Sequence, residues 1–278
     1  MSEHSKIEWT DHTFNPWWGC MKVSDGCRNC YAETFAKRVG QRVWGPPSTT
    51  TRREFSAKHW AEPLNWHAAA LAEGKRARVF CASMADVFED HPVAAQERPR
   101  LWETISACTS LDWLLLTKRP ENIIDMLPVG WKHQLPPHIW IGTSTENQQT
   151  ADERIPHLLM VPAAVRFLSM EPLLGPVDLE REVVLPTGKS CQPLYVDHIS
   201  GRQEDAKHID WVILGGESGH GYRDMDVQWV ADIAEQCKAA GIAVFVKQDS
   251  GRYPAKQGRI PDELMLREFP ASPAAVTA

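Results

Sequence analysis

The chain has 278 residues, 43% of them hydrophobic and 24% charged, so it can bury a globular core without disulfide staples. Its net charge of −6 and pI near 6.0 exclude the blanket basicity of a histone-like binder, while leaving room for a local basic groove. The start, MSEHSKIEWTD, has no apolar signal region, and no stretch approaches the roughly 20 apolar residues of a membrane helix, so a cytoplasmic protein with no membrane partner is expected.

In chain order, a weak strand signal near residues 13–17 comes first, and the helix pattern YAETFAKR follows Cys30. Residues 43–74 break the rhythm with Gly45, Pro46 and Pro47, then offer the helix candidate WAEPLNWHAAALAEG. Six short apolar runs follow: 79–82, 113–116, 139–142, 165–168, 211–214 and 243–246. They are nearly unbroken and rich in Val, Ile, Leu and Trp, as strands buried on both faces are. Between them lie helical spacings at Leu101, Ile105 and Cys108, at Ala151, Ile155 and Leu158, and at Trp229, Ile233 and Cys237, with Gly241 as a helix stop.

Repeated strand–helix units predict an α/β fold with a parallel sheet and right-handed crossovers, open or closed as a barrel. One domain is expected over 1–269, with insertions at about 43–74 and 176–208. The second insertion reads as a hairpin or lid, and 270–278 as a disordered tail.

Nearly every run ends in polar residues. Ser83 and Asp86 follow the first, Thr117, Lys118 and Arg119 the second, and Thr143, Ser144, Glu146 and Asn147 the third. Ser169 and Glu171 follow the fourth, Glu217 and Ser218 the fifth, Lys247 and Gln248 the last. In parallel α/β folds these carboxyl ends converge on one rim where ligands bind, which makes the rim the expected active site. Glu171 in SMEPLLG and Glu217 in GGESG are the catalytic candidates, a helix N-cap or a rim ion pair being the alternative for each. The plainest reading of Arg52, Arg53 and Lys58 is solvated surface. Most of the twelve tryptophans are expected to fill the core.

The seven cysteines divide into two kinds. Cys81, Cys108 and Cys237 fall in a strand or on helix faces, where packing explains them; Cys191 lies in the second insertion. Cys20, Cys27 and Cys30 crowd into NPWWGCMKVSDGCRNCYAETF. In a reducing compartment such crowding points to a metal rather than to disulfides. Gly19 and Gly26 let the backbone turn there, and the amides of the following helix can stabilise thiolates. Structural zinc takes four protein ligands, and His12 is the available fourth, at a spacing that matches no zinc motif. A [4Fe–4S] cluster held by three thiolates keeps one iron open for a cofactor or substrate.

The three-cysteine segment, with VFCASMADVF, LLLTKRPEN, IWIGTSTEN, RFLSMEPLLGPV, WVILGGESG and VFVKQ, resembles the phage Gp37/Gp68 family, grouped with the radical S-adenosylmethionine (radical SAM) enzymes. The resemblance runs from about Trp9 to Gln248. It implies a partial (β/α)6 TIM-like barrel, here with a C-terminal extra strand, and a [4Fe–4S] cluster on Cys20, Cys27 and Cys30. It also implies S-adenosylmethionine chelated at the open iron, and a 5′-deoxyadenosyl radical that abstracts hydrogen from a substrate. The spacing departs from the commonest pattern, with six residues rather than three between the first two cysteines, and Asn29 rather than an aromatic before the last.

For the cofactor, Ser83 and Asp86 occupy the place where many members contact the ammonium group, Asp86 as its acceptor, and Lys118 and Ser144 would hold the carboxylate. Glu171 or Glu217 would meet ribose hydroxyls or substrate. The expected partners are a reductant of flavodoxin or ferredoxin type, a nucleic-acid component contacted through LTKRP and TTTRR, and an unidentified protein. The competing readings are a zinc-stabilised nucleic-acid or protein binding module without catalysis, and an electron carrier, which would normally saturate its cluster with four protein ligands.

Overall fold

The structure, a computed structural model, describes residues 5–194 and 208–271. In chain order its strands are β1 (His12–Thr13), β2 (Ala77–Cys81), β3 (Leu111–Thr117), β4 (Ile139–Ser144) and β5 (Val165–Met170), then a short pair, β6 (Val183–Val184) and β7 (Ser190–Cys191), and finally β8 (Trp211–Gly215) and β9 (Ala243–Gln248). Seven of them form one all-parallel sheet in the order β1-β2-β3-β4-β5-β8-β9, curled into a half-barrel. Strand order that follows chain order sends every right-handed crossover to the same face.

The helices are α1 (Tyr31–Arg38), α2 (Ala57–Trp60), α3 (Glu62–Ala72), α4 (Pro92–Ala107), α5 (Ile123–Met126), α6 (Gln148–Leu159) and α7 (Val227–Ala240). Local chemistry fixes their ends. The Asn147 side chain accepts from the amide of Thr150 in a capping box that starts α6. Asp226 caps α7 by accepting from the amide of Gln228, and Gly241 ends it at φ 71°.

All six expected strands form, and the expected helices around residues 101–108, 151–158 and 229–237 are α4, α6 and α7. The early strand differs: β1 covers only His12–Thr13, while Trp18 makes an isolated antiparallel bridge to Arg53. In the second insertion, β6 and β7 pair antiparallel as a hairpin. Residues 195–207 of that insertion, and 272–278 of the tail, lie outside the described residues.

The alternation along each strand builds two cores. Val79, Trp113, Leu115, Ile139, Ile141, Leu168, Val212 and Val244 pack with Leu101, Ile105, Ile155, Leu158, Val230 and Ile233 of the helices. The intervening residues face the other way. Phe80, Leu114, Trp140, Phe167, Trp211, Ile213 and Phe245 form a largely aromatic plug, joined by Trp9 from before β1. Edge-to-face contacts tie it together, such as Trp9 on Phe80 with centroids 4.7 Å apart. A side chain at Gly142 would overlap the Phe167 ring, so the ring needs glycine there. Nine of the twelve tryptophans are buried and none is exposed, in line with the core role expected of them. On the plug's face, Ser144, Ser169 and Lys247 lie further toward the carboxyl ends, where the chemistry changes from apolar to ionic.

Candidate functional site

Cys20, Cys27 and Cys30 lie on the segment between β1 and α1, and all three line one cavity of about 170 Å³ at the carboxyl ends of the strands. Ala82, Thr117, Lys118, Ser144 and Glu171 come to the same cavity from beyond or at the ends of β2, β3, β4 and β5. Among the described residues, the cavity lining contains no histidine and no fourth cysteine. Among the described residues, no three His, Cys, Asp or Glu side chains are drawn together closely enough to hold a metal ion.

Charged residues from beyond four strand ends pin this segment. After β2, Glu89 accepts from the Met21 amide at 2.7 Å and forms a two-point pair with the buried Arg52, both contacts 2.8 Å. After β3, Arg119 donates to Met21 O at 2.6 Å, to Asp86 Oδ2 at 2.7 Å and to Cys20 Sγ at 3.7 Å. After β4, Glu146 accepts from Ser24 Oγ at 3.0 Å, Lys118 Nζ at 2.6 Å and Arg154 Nη1 at 3.0 Å. After β8, Glu217 accepts from Asn29 Nδ2 at 2.9 Å and from Arg223, which itself reaches Asp25 Oδ2 at 2.6 Å. Gly19, at φ 118°, and Gly26 let the loop sit this close: a side chain at Gly19 would strike Val43 O, and one at Gly26 would strike Glu146.

The thiols feel these charges. Burial pushes the Cys20 thiol well up, Asp86 adds to it, and the Arg119 guanidinium opposes both. Burial also raises the Cys30 thiol, while the amides of Glu33 and Ala32 at the start of α1 pull it down. Burial alone would raise Glu146, but Lys118 and Arg154 outweigh it and hold the carboxyl below the ordinary range.

The expected site residues divide accordingly. Asp86, Lys118, Ser144 and Glu171 line the thiol cavity; Ser83 and Glu217 do not. Ser83 Oγ is bonded to Asn15 at 3.1 Å, and its carbonyl accepts from Tyr31. Asp86 accepts from Phe88 N, Thr117 Oγ1, Lys118 N and Arg119 Nη1, two bonds on each oxygen, so its acceptor capacity is filled. That changes its reading from a receiver of a ligand ammonium to the group that sets Arg119. Glu171 pairs with Lys247 at 2.7 Å. His12 stacks on Trp66 at the opposite end of the strands, and a separate cavity there contains both.

A family model described as "Protein of unknown function (DUF5131)" matches residues 4–270. The chain belongs to the DUF5131 family. No curated protein and no solved structure matches it.

Of the anchors in this DUF5131 chain, Glu89 escapes a reading of its sequence, while Arg119 and Glu146 are named there as rim residues without their role in holding the cysteine loop. Arg52 corrects the expectation of a solvated surface, being 2% exposed. The possible phosphate contacts in LTKRP and TTTRR are engaged elsewhere, since Lys118, Arg119 and Arg52 sit in ion pairs and Arg53 lies over the Trp18 ring. One cue was available, in that buried strand ends followed by both Lys/Arg and Glu/Asp demand mutual pairing. Among the described residues no helix is long and apolar enough to cross a membrane.

Proposed function

We propose that this DUF5131 chain is a radical SAM enzyme whose [4Fe–4S] cluster is held by Cys20, Cys27 and Cys30. The observation that carries the reading is the shared cavity: three thiols, with no fourth cysteine or histidine among the described residues, at the carboxyl-end rim of a parallel half-barrel. A zinc ion would draw its ligands in to about 2.3 Å around one point. Among the described residues, no histidine and no fourth cysteine lines the cavity to complete a zinc set. Cluster and cofactor together would supply one-electron cleavage of a C–S bond in S-adenosylmethionine, with the electron from a flavodoxin- or ferredoxin-type reductant.

The chain's own residues then have separable tasks. Arg119, set by Asp86, holds the loop carbonyl of Met21 and faces Cys20. Lys118 keeps donors beyond its single bond to Glu146 and sits on the cavity wall, so it suits a carboxylate; Ser144 lies beside it on that wall. Glu171, 15% exposed and bonded to Lys247, offers acceptors for an ammonium or for ribose hydroxyls. Glu217, bound to Arg223 and Asn29, holds the loop rather than facing the cavity. The cavity is smaller than the roughly 300–1,000 Å³ of most small-molecule sites, so the cofactor would extend out along the rim.

Anaerobic reconstitution tests the proposal. About four irons per chain are expected, lost on Cys20→Ala, Cys27→Ala or Cys30→Ala and kept on Cys108→Ala. Dithionite with S-adenosylmethionine should then release 5′-deoxyadenosine. Colourless protein carrying one zinc would replace this reading with a metal-stabilised binding module.

A further inference from the structure

The chain sorts its aromatic residues by type. Tryptophan goes inward, whereas all three described tyrosines are exposed: Tyr31 at 56%, Tyr222 at 40% and Tyr253 at 64%. All three lie on loops or a helix start at the carboxyl-end rim. These segments adjoin one another. Asn29, two residues before Tyr31, donates to Gly221 O beside Tyr222. The loop bearing Tyr222 joins the loop bearing Tyr253 through the Ser218–Gly251 bridge and the bond from Gly219 N to Gly251 O.

Positive charge marks the two segments that flank the Tyr222 loop, which itself carries Glu217, Asp224 and Asp226 against Arg223. Segment 247–259 carries four cations (Lys247, Arg252, Lys256, Arg259) against one acid (Asp249), a net of +3 in a chain of −6. Segment 20–42 holds five cations against Asp25 and Glu33, again +3. Arg28, Arg252 and Lys256 are exposed and have no ion-pair partner among the described residues. Arg252 instead approaches the Tyr253 ring, 5.9 Å from its centroid.

We propose that this rim is a binding track for single-stranded nucleic acid, with bases stacked on Tyr222 and Tyr253 and phosphates held by Arg28, Arg252 and Lys256. Exposed tyrosines offer flat faces to unpaired bases, and unpaired cations beside them match a phosphate backbone. A duplex hides its base faces and would forfeit the stacking. The proposal names a substrate or partner class for the enzyme proposed above, yet the binding itself needs no cluster.

The test is fluorescence anisotropy with a labelled single-stranded 20-mer, in RNA and DNA forms, and with the matching duplex, on both metal-free and reconstituted protein. Single strands should bind more tightly than duplex. The double change Y222A/Y253A should weaken them at least tenfold with an unchanged melting temperature, as stacking losses of this kind do. R252A/K256A should flatten the slope of log affinity against log salt by about 1.4, two single-strand phosphate contacts' worth. Salt-sensitive binding that polyglutamate abolishes equally well, with Y222A/Y253A unaffected, would overturn the proposal in favour of an acidic protein partner. No binding at low salt would overturn it outright. Failure to take up iron on reconstitution, with strand binding intact, would count against the cluster reading alone.

Discussion

At the carboxyl ends of the strands, ion pairs are taken out of water; at the amino ends of β2 and β3 they stay at its edge. The side chains of Arg52–Glu89 are 0% and 2% exposed, those of Arg119–Asp86 7% each, and those of Arg154–Glu146 7% and 1%. Around the amino ends, Arg76 of the Arg76–Asp112 pair is 33% exposed, and the Arg78–Asp11 pair is more open still. Burying a pair costs several kcal/mol per ion in lost hydration, and good geometry only partly returns it. The costly arrangement surrounds the three thiols, where one ion of each buried pair (Glu89, Arg119 or Glu146) also holds a backbone or side-chain group of the cysteine loop. The cheaper one merely decorates strand starts.

The largest effect should come from breaking one partner at each end. Asp86→Ala leaves Arg119 buried with only its longer contact to Glu89, 3.7 Å, and a loss of about 3 kcal/mol is expected. Asp112→Ala leaves Arg76 able to rehydrate, so about 1 kcal/mol is expected. Urea denaturation of the two variants beside the parent decides the matter, and equal losses would erase the distinction between the ends.

How much of this was legible depended on how far apart the partners lie in the chain. The six long strands were readable because residues such as 139–144 are buried on both faces and therefore nearly unbroken in apolarity. β1 was not, because two half-buried residues carry no pattern. The thiols were readable from local crowding, and Lys118, Ser144 and Glu171 from their position after a strand. Their anchors were not, since Asn29 and Glu217 are 188 residues apart and Arg52 and Glu89 are 37 apart. Nothing local tells Arg52, which is buried, from Arg53, which stacks on Trp18. Asp86 was legible as a rim residue, but only coordinates show that each of its oxygens already accepts two bonds.

A smaller change tests the closeness of loop and rim directly. At Gly26 a methyl group would overlap the Glu146 carboxylate, whereas at Gly130 nothing lies within 4 Å. Gly26→Ala should cost about 1–3 kcal/mol, as overpacking does, and should loosen the cysteine loop to limited proteolysis. Gly130→Ala should stay within about 0.5 kcal/mol of the parent. A harmless Gly26→Ala would mean that the loop rests on Glu146 less tightly than the geometry states.

Acid offers the gentlest way to release the same loop. Glu146 and Glu217 are each pushed up by burial but held below the ordinary carboxyl range, the first by Lys118 and Arg154, the second by hydrogen bonds from Arg223 and Asn29. A group whose folded pKa is depressed binds its proton later in the folded state than in the unfolded one. Its stabilisation is therefore complete above the ordinary carboxyl value of about 4.3, and it drains away as pH falls through the lower folded value. Stability measured by urea denaturation should fall with acid below that point, and Glu146→Gln or Glu217→Gln should start lower but fall less steeply. Were both variants to keep the parent's slope, those two carboxylates would not be what ties the cysteine loop to the strand ends in acid.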